Sequence, residues 1–207
     1  MAYKIADNII SPLGETTEQN YRALLCGASA IEGSPISYST NGFSQFESLI
    51  FNSAKRALEG LDIPLDQTLF ILSSTKGGVE SGDTFNPQGY LGESAKRVAH
   101  KLKIERTPIV VCNACISGVS AIVLANNLLD AGYCNYAVVS GGDVIGKFIL
   151  SGFESLKAFS PVECKPFDIE RMGLNLGEAA STMVLSSNSS YKDCWQIERG
   201  AIRNDAS

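Results

Sequence analysis

The chain is expected to adopt an α/β fold: a mostly parallel sheet with helices on both faces. Three observations lead there. Short apolar runs of buried-strand type alternate with longer segments of helical character from end to end, and parallel neighbours need crossover connections of that kind. Hydrophobic residues make up 44% of the 207 residues and charged residues 19%, which is apolar matter enough for a sizeable core. Glycines close the apolar runs, at Gly77, Gly78 and Gly82 and again at Gly141 and Gly142, as expected where strands enter loops.

Met1 to Ile10 reads as a first strand, closed by Ser11, Pro12 and Gly14. Glu18 to Cys26 has helical character and is ended by Gly27. Gly33 to Gly42, rich in Ser, Pro, Asn and Gly, is a loop, after which Phe46 to Leu61 is helical until Gly60 and Pro64 stop it. Thr68 to Ser74 (TLFILSS) is a strand, and the glycine cluster behind it marks a long connection. Gly92 to Leu102 is the next helix. Pro108 to Cys112 (PIVVC) is a short buried strand, followed by an apolar segment, from Ile116 to Gly132, too long for a strand and therefore helical. Tyr136 to Ser140 and Ser181 to Leu185 complete the strands. No repeat or linker interrupts the series, so one domain over 1–207 is expected.

The net charge of −5, with no block of Lys or Arg, gives nucleic acid or an anionic membrane surface no footprint. The longest apolar runs, such as Ala121 to Ala125, fall far short of the roughly 18 residues of a membrane span. Lys4, Asp7 and Asn8 interrupt the N-terminal stretch where a signal peptide needs an apolar core, so a cytoplasmic protein is expected. The six cysteines, at 26, 112, 115, 134, 164 and 194, are spread through a chain large enough to fold without staples, and free thiols are expected. With one histidine and no second close pair of cysteines, neither a metal site nor a cofactor is expected.

In a sheet of this type ligands meet the carboxyl ends of the strands. Cys115 falls at such an end, where strand becomes helix, within reach of unpaired N–H groups and the positive end of the helix dipole. Both favour a thiolate, and Ala114, Ser117 and Gly118 leave room for a substrate. Position alone also suits a small buried apolar residue. A third reading is a Cys112–Cys115 dithiol, although Cys112 then lies inside the strand rather than at the helix start.

The segment Asn113-Ala114-Cys115-Ile116-Ser117-Gly118 resembles the nucleophile motif of beta-ketoacyl synthases, the condensing enzymes of fatty-acid and polyketide synthesis. Further motifs agree in order and spacing. They are Tyr136 to Asp143 (YAVVSGGD), Ser151-Gly152-Phe153 through Ser160, and KPFDIERMGLNLGEAA from Lys165. The resemblance is clear from about Pro108 to Ser187.

The resemblance implies one half of a thiolase-like fold, the N-terminal half, with the C-terminal half absent; Arg203-Asn204-Asp205-Ala206 is similar to the start of the second half. It implies an acyltransferase in which Cys115 takes an acyl group from an acyl carrier protein or acyl-CoA thioester. Two histidines of the second half then decarboxylate a malonyl-carrier protein, and the carbanion attacks the acyl-cysteine. His100 matches neither histidine, so full condensation by this chain alone is not expected. The Cys115 backbone N–H is one oxyanion-hole donor, and such donors are each worth about 3 kcal/mol. Phe153 matches a phenylalanine that lines the acyl pocket, and Lys157 a position that meets the carrier protein. Asp168, Arg171 and Glu178 are expected to be scaffold, while Ala179, Ala180 and Ser181 depart from a Gly-Ala-Gly run. Half of a two-part fold exposes apolar surface, so a complementary C-terminal half and a homodimer are the expected partners. The rival class is a non-catalytic interaction domain of the same fold.

Overall fold

The computed structural model describes residues 1–30, 45–78, 80–81, 84–85, 90–191 and 193–203. The loop expected at 33–42, part of the glycine-lined connection after residue 78, and residues 204–206 lie outside them. The described elements are β1 (Ala2–Ile10), α1 (Thr17–Leu25), α2 (Gln45–Leu58), β2 (Thr68–Ser73), a two-stranded ribbon of β3 (Glu80–Ser81) and β4 (Thr84–Phe85), α3 (Leu91–Lys101), β5 (Ile109–Val111), α4 (Ser117–Asp130), β6 (Tyr136–Asp143), α5 (Lys147–Ser155), β7 (Ala179–Ser186) and β8 (Trp195–Ile197).

The main sheet has six strands in the order β5-β2-β6-β7-β1-β8. The α/β class holds, and the sheet is mixed rather than mostly parallel. β2 pairs in parallel with β5 and β6, whereas β6–β7, β7–β1 and β1–β8 are antiparallel. The reason lies after β6. α5 has nine residues, about 14 Å of helix, and stays at the carboxyl end of β6 instead of crossing back, so β7 starts beside that end with Ala179 opposite Asp143. Sequence periodicity also does not predict α5, β8 or the β3–β4 ribbon.

β2 is flanked by β5 and β6 and covered on both faces, so all six of its residues are buried. A strand presents alternate side chains to opposite faces. Phe70 and Leu72 join Val138 and Val184 in a core covered by α2 and α3, through Leu49, Ile50 and Val98. Leu69 and Ile71 join Ala137 and Val139 on the other face, covered by Ala121, Ala125 and Leu129 of α4. Helices therefore lie on both faces. Small alanines bring α4 close to the sheet, and Gly132, at φ 69, ends that helix in a conformation only glycine adopts without penalty. One buried polar chain links α2 with β1, β7 and β6: Ser53 Oγ donates to the Asn8 carbonyl at 3.1 Å, Thr182 Oγ1 to Ser53 Oγ at 2.9 Å, and Ser140 and Thr182 meet at 2.8 Å.

Candidate active site

Four strands, β5, β2, β6 and β1, point the same way, so three neighbouring carboxyl ends gather at one side of the sheet. The turn from β5 into α4 lies there. Ala114 sits at φ 43, in the left-handed region that costs an alanine strain. Ser117 holds it. Its Oγ accepts the Asn113 N–H at 2.8 Å and donates to the Ala114 carbonyl at 2.7 Å, while the Ile116 N–H reaches the Asn113 carbonyl at 3.1 Å. Cys115 is thus carried on a pinned turn just before the first turn of α4, and it is exposed.

Cys115 opens into a cleft of about 680 Å³. One wall is polar and comes from the end of β2 and the end of β6. Lys76 Nζ lies 2.9 Å from Asp143 Oδ1, Ser74 Oγ donates to the same oxygen at 2.8 Å, and the Gly77 N–H donates to Ser74 Oγ at 3.2 Å. The rest of the lining is largely apolar, with Ile122, Val144, Ile149, Phe153 and Met183. Phe153 is half-buried and its ring centroid stands 6.2 Å from that of Phe159. A larger hollow of about 820 Å³ lies at the other end of β5, bounded by Lys96, His100, Lys103 and Arg106; it is remote from Cys115.

The structure separates the remaining sequence-predicted residues. Lys157 is exposed in the turn after α5, outside the cleft lining, with φ 52 and its N–H on the Glu154 carbonyl at 2.8 Å. His100 is exposed on α3. Cys112, expected inside the strand, lies just beyond it, exposed, with its thiol 3.6 Å from the Thr75 carbonyl. Asp168 and Arg171 form a surface turn in which the Arg171 guanidinium reaches the Asp168 backbone carbonyl at 2.8 Å. Glu178 is buried and accepts the Ile145 N–H at 2.7 Å. Ala180 enters the core and Ser181 lines the cleft. Burial pushes the Cys134 thiol up, against a smaller opposing pull from Arg106.

Lys76 and Ser74 carry no local motif; only the glycine cluster behind β2 points to that strand end. Among the described residues no group of three or more His, Cys, Asp or Glu is placed to hold a metal, and no helix is long and apolar enough to cross a membrane.

Residues 73–190 match the family described as "Beta-ketoacyl synthase, N-terminal domain". Among curated proteins, nodulation protein E of Rhizobium leguminosarum bv. trifolii is 30% identical over 102 residues, covering 49% of this chain and 25% of that protein. A phenolphthiocerol/phthiocerol polyketide synthase polypeptide of Mycobacterium tuberculosis is 30% identical over 102 residues, covering 48% of this chain and 5% of that protein. Among solved structures, the ketosynthase ApeO in complex with its chain length factor ApeC, from Xenorhabdus doucetiae, superposes with a TM-score of 0.75 at 20% identity over 90% of this chain and 58% of that one. The ishigamide ketosynthase/chain length factor gives a TM-score of 0.78 at 18% identity, over 94% and 60%. The chain thus spans about a quarter of the length of the nodulation protein and under two thirds of these ketosynthase chains. With more than half of its residues matching the family and its fold shared with solved ketosynthases, the chain belongs to the beta-ketoacyl synthase family, in the region of that family's N-terminal domain.

Proposed function

We propose that Cys115 is the acyl-accepting nucleophile of a beta-ketoacyl synthase, taking its acyl group from an acyl carrier protein or acyl-CoA thioester. The observation that carries this reading is an exposed cysteine, on a pinned strand-to-helix turn, at the mouth of a cleft with one apolar wall. Sγ attacks the thioester carbonyl and a tetrahedral oxyanion forms. The bond to the departing thiol breaks, that thiol takes up the proton Cys115 gives up, and the acyl group remains on Sγ. The Cys115 N–H is the candidate oxyanion donor. The apolar wall, with Phe153, receives the acyl chain and keeps water from the thioester.

Condensation also needs a carbanion made by decarboxylation. His100 lies on α3, away from the cleft, so that step falls to histidines of a complementary C-terminal half, in the same polypeptide or a separate one. In this reading residues 1–207 are the N-terminal domain. Exposed apolar side chains between β6 and β7, among them Phe148, Leu156, Val162, Ile169 and Met172, are surface for such a half or for a second copy of the chain. Lys157, exposed in the same segment, suits contact with an acidic carrier protein.

The test is acylation. Incubation with hexanoyl-CoA or a hexanoyl-carrier protein, followed by peptide mass mapping, is expected to place the acyl group on Cys115 and to show none on Cys115→Ser. Acylation elsewhere, or none in a folded protein whose Cys115 still reacts with iodoacetamide, favours the non-catalytic interaction domain instead.

A further inference from the structure

Of the five described α-helices, α5 is the one that contains no buried residue, yet it brings Ile149 and Phe153 to the cleft wall. Its packing thus rests on half-buried side chains, such as Phe153 against Phe159, rather than on a fully buried face. Its N-cap is Gly146, which has no side chain to cap it. Both of its ends are instead tied to the segment that runs into β7. Behind the helix, the Leu174 N–H donates to the Ala158 carbonyl at 2.9 Å and the Ser160 N–H to the Leu174 carbonyl at 3.0 Å. Ahead of it, the Ile145 N–H donates to Glu178 Oε1 at 2.7 Å.

Glu178 is 6% exposed, and its other oxygen, Oε2, is buried without a hydrogen-bond partner. Burying an acceptor in that state costs free energy, so the carboxylate is a poor choice for stability alone. Its place is fixed by the next residue, Ala179, which opens β7 opposite Asp143 of β6. Ile145 is two residues from Asp143 and one residue, Gly146, from the start of α5. The hydrogen bond therefore references the α5 wall to the end of β6 and the start of β7, where the cleft lies.

We infer that Glu178 is a positioning residue that sets the width of the acyl cleft and hence which acyl chains Cys115 accepts. The inference rests on the nucleophile reading above for its substrate and on geometry alone for the latch. When the acceptor is present, Val144, Ile145, Ile149 and Phe153 stand at a defined distance from the polar wall. When it is lost, the wall is free to move outward, and selection by chain length weakens.

Two variants separate this role from plain scaffolding. Glu178→Met keeps the volume, removes the acceptor and removes the unpartnered oxygen, so the fold is preserved. Glu178→Gln keeps an acceptor for the Ile145 N–H. The readouts are rates of Cys115 modification by acetyl-CoA, hexanoyl-CoA, dodecanoyl-CoA and iodoacetamide, and amide exchange from Ile145 to Phe153. In Glu178→Met the hexanoyl-to-acetyl rate ratio is expected to change about tenfold, in line with loss of a charged hydrogen bond. Amide exchange in α5 is expected to accelerate, and the iodoacetamide rate to stay within about twofold of the parent. Glu178→Gln is expected to restore both. An unchanged chain-length ratio with unchanged exchange overturns the inference, as does an equal fall with all four reagents. If the parent is not acylated but exchange in α5 still accelerates in Glu178→Met and is restored in Glu178→Gln, the nucleophile reading fails while the latch stands.

Discussion

Removing the Ser117 hydroxyl tests the turn that carries Cys115. Ser117 is 5% exposed, and its Oγ serves both the Asn113 N–H, at 2.8 Å, and the Ala114 carbonyl, at 2.7 Å. In Ser117→Ala the Asn113 N–H loses its acceptor in a half-buried site, whereas the Ala114 carbonyl keeps the Ser117 N–H at 3.2 Å. The first loss is the larger, and together they come to about 2 kcal/mol. For a chain of this size each kcal/mol moves the melting temperature by about 2–4 °C, so a fall of about 4–8 °C is expected by differential scanning calorimetry. Ala114→Gly supplies the opposite sign. At φ 43 a glycine is unstrained, and relief of about 1–3 kcal/mol exceeds the roughly 0.4–1 kcal/mol that a more flexible unfolded chain returns. Iodoacetamide modification of Cys115, followed by mass, reports the turn itself and is expected to slow in Ser117→Ala. A Ser117→Ala protein that melts within about 1 °C of the parent and reacts at the same rate refutes the reasoning.

Three further outcomes are expected. Gly142→Ala places a Cβ 2.7 Å from the Ala179 carbonyl oxygen and 2.9 Å from Ile50 Cδ1, and should lower stability to urea by about 1–3 kcal/mol. Phe70→Ala empties a fully buried site between β2 and the α2–α3 layer, and should cost about 3–5 kcal/mol by the same measurement. Asp7 reports on acid stability. Burial works against its charge, but the Lys4 ammonium and the Thr17 hydroxyl outweigh that and hold the carboxyl below the ordinary 3.8. Such a group stabilises the fold above its unfolded value and loses that contribution as pH falls through the folded one. The melting temperature of Asp7→Asn should therefore fall less steeply than the parent's from about pH 4 to about pH 2.

Much of the fold can be read from apolar runs. β2 is buried on both faces, so TLFILS is apolar at four consecutive positions, Leu69 to Leu72, and α4 shows as an apolar segment too long for a strand. Strand direction cannot be read that way, because burial patterns do not say whether a connection crosses the sheet. α5 escapes because it is only nine residues long and its KFILSGFES includes Gly152, a poor helix former. β8 is a three-residue, largely exposed edge strand with too little pattern to register. At the site, Cys115 and Phe153 are visible through local motif, and both line the cleft. The Lys76–Asp143 wall is not, since its partners are 67 residues apart and meet only because β2 and β6 are neighbours. Glu178 reads as scaffold in the sequence because its contact with Ile145 spans 33 residues.

The α5 wall and the β2 wall answer to different constraints. A change in β2 disturbs two hydrophobic cores at once, so sequence there has little liberty to drift. α5 contributes no residue to either buried core, so substitutions at its exposed positions are expected to change stability little. Divergence in what the cleft admits can therefore accumulate on one helix while the cysteine-bearing turn and the sheet beneath it stay unaltered.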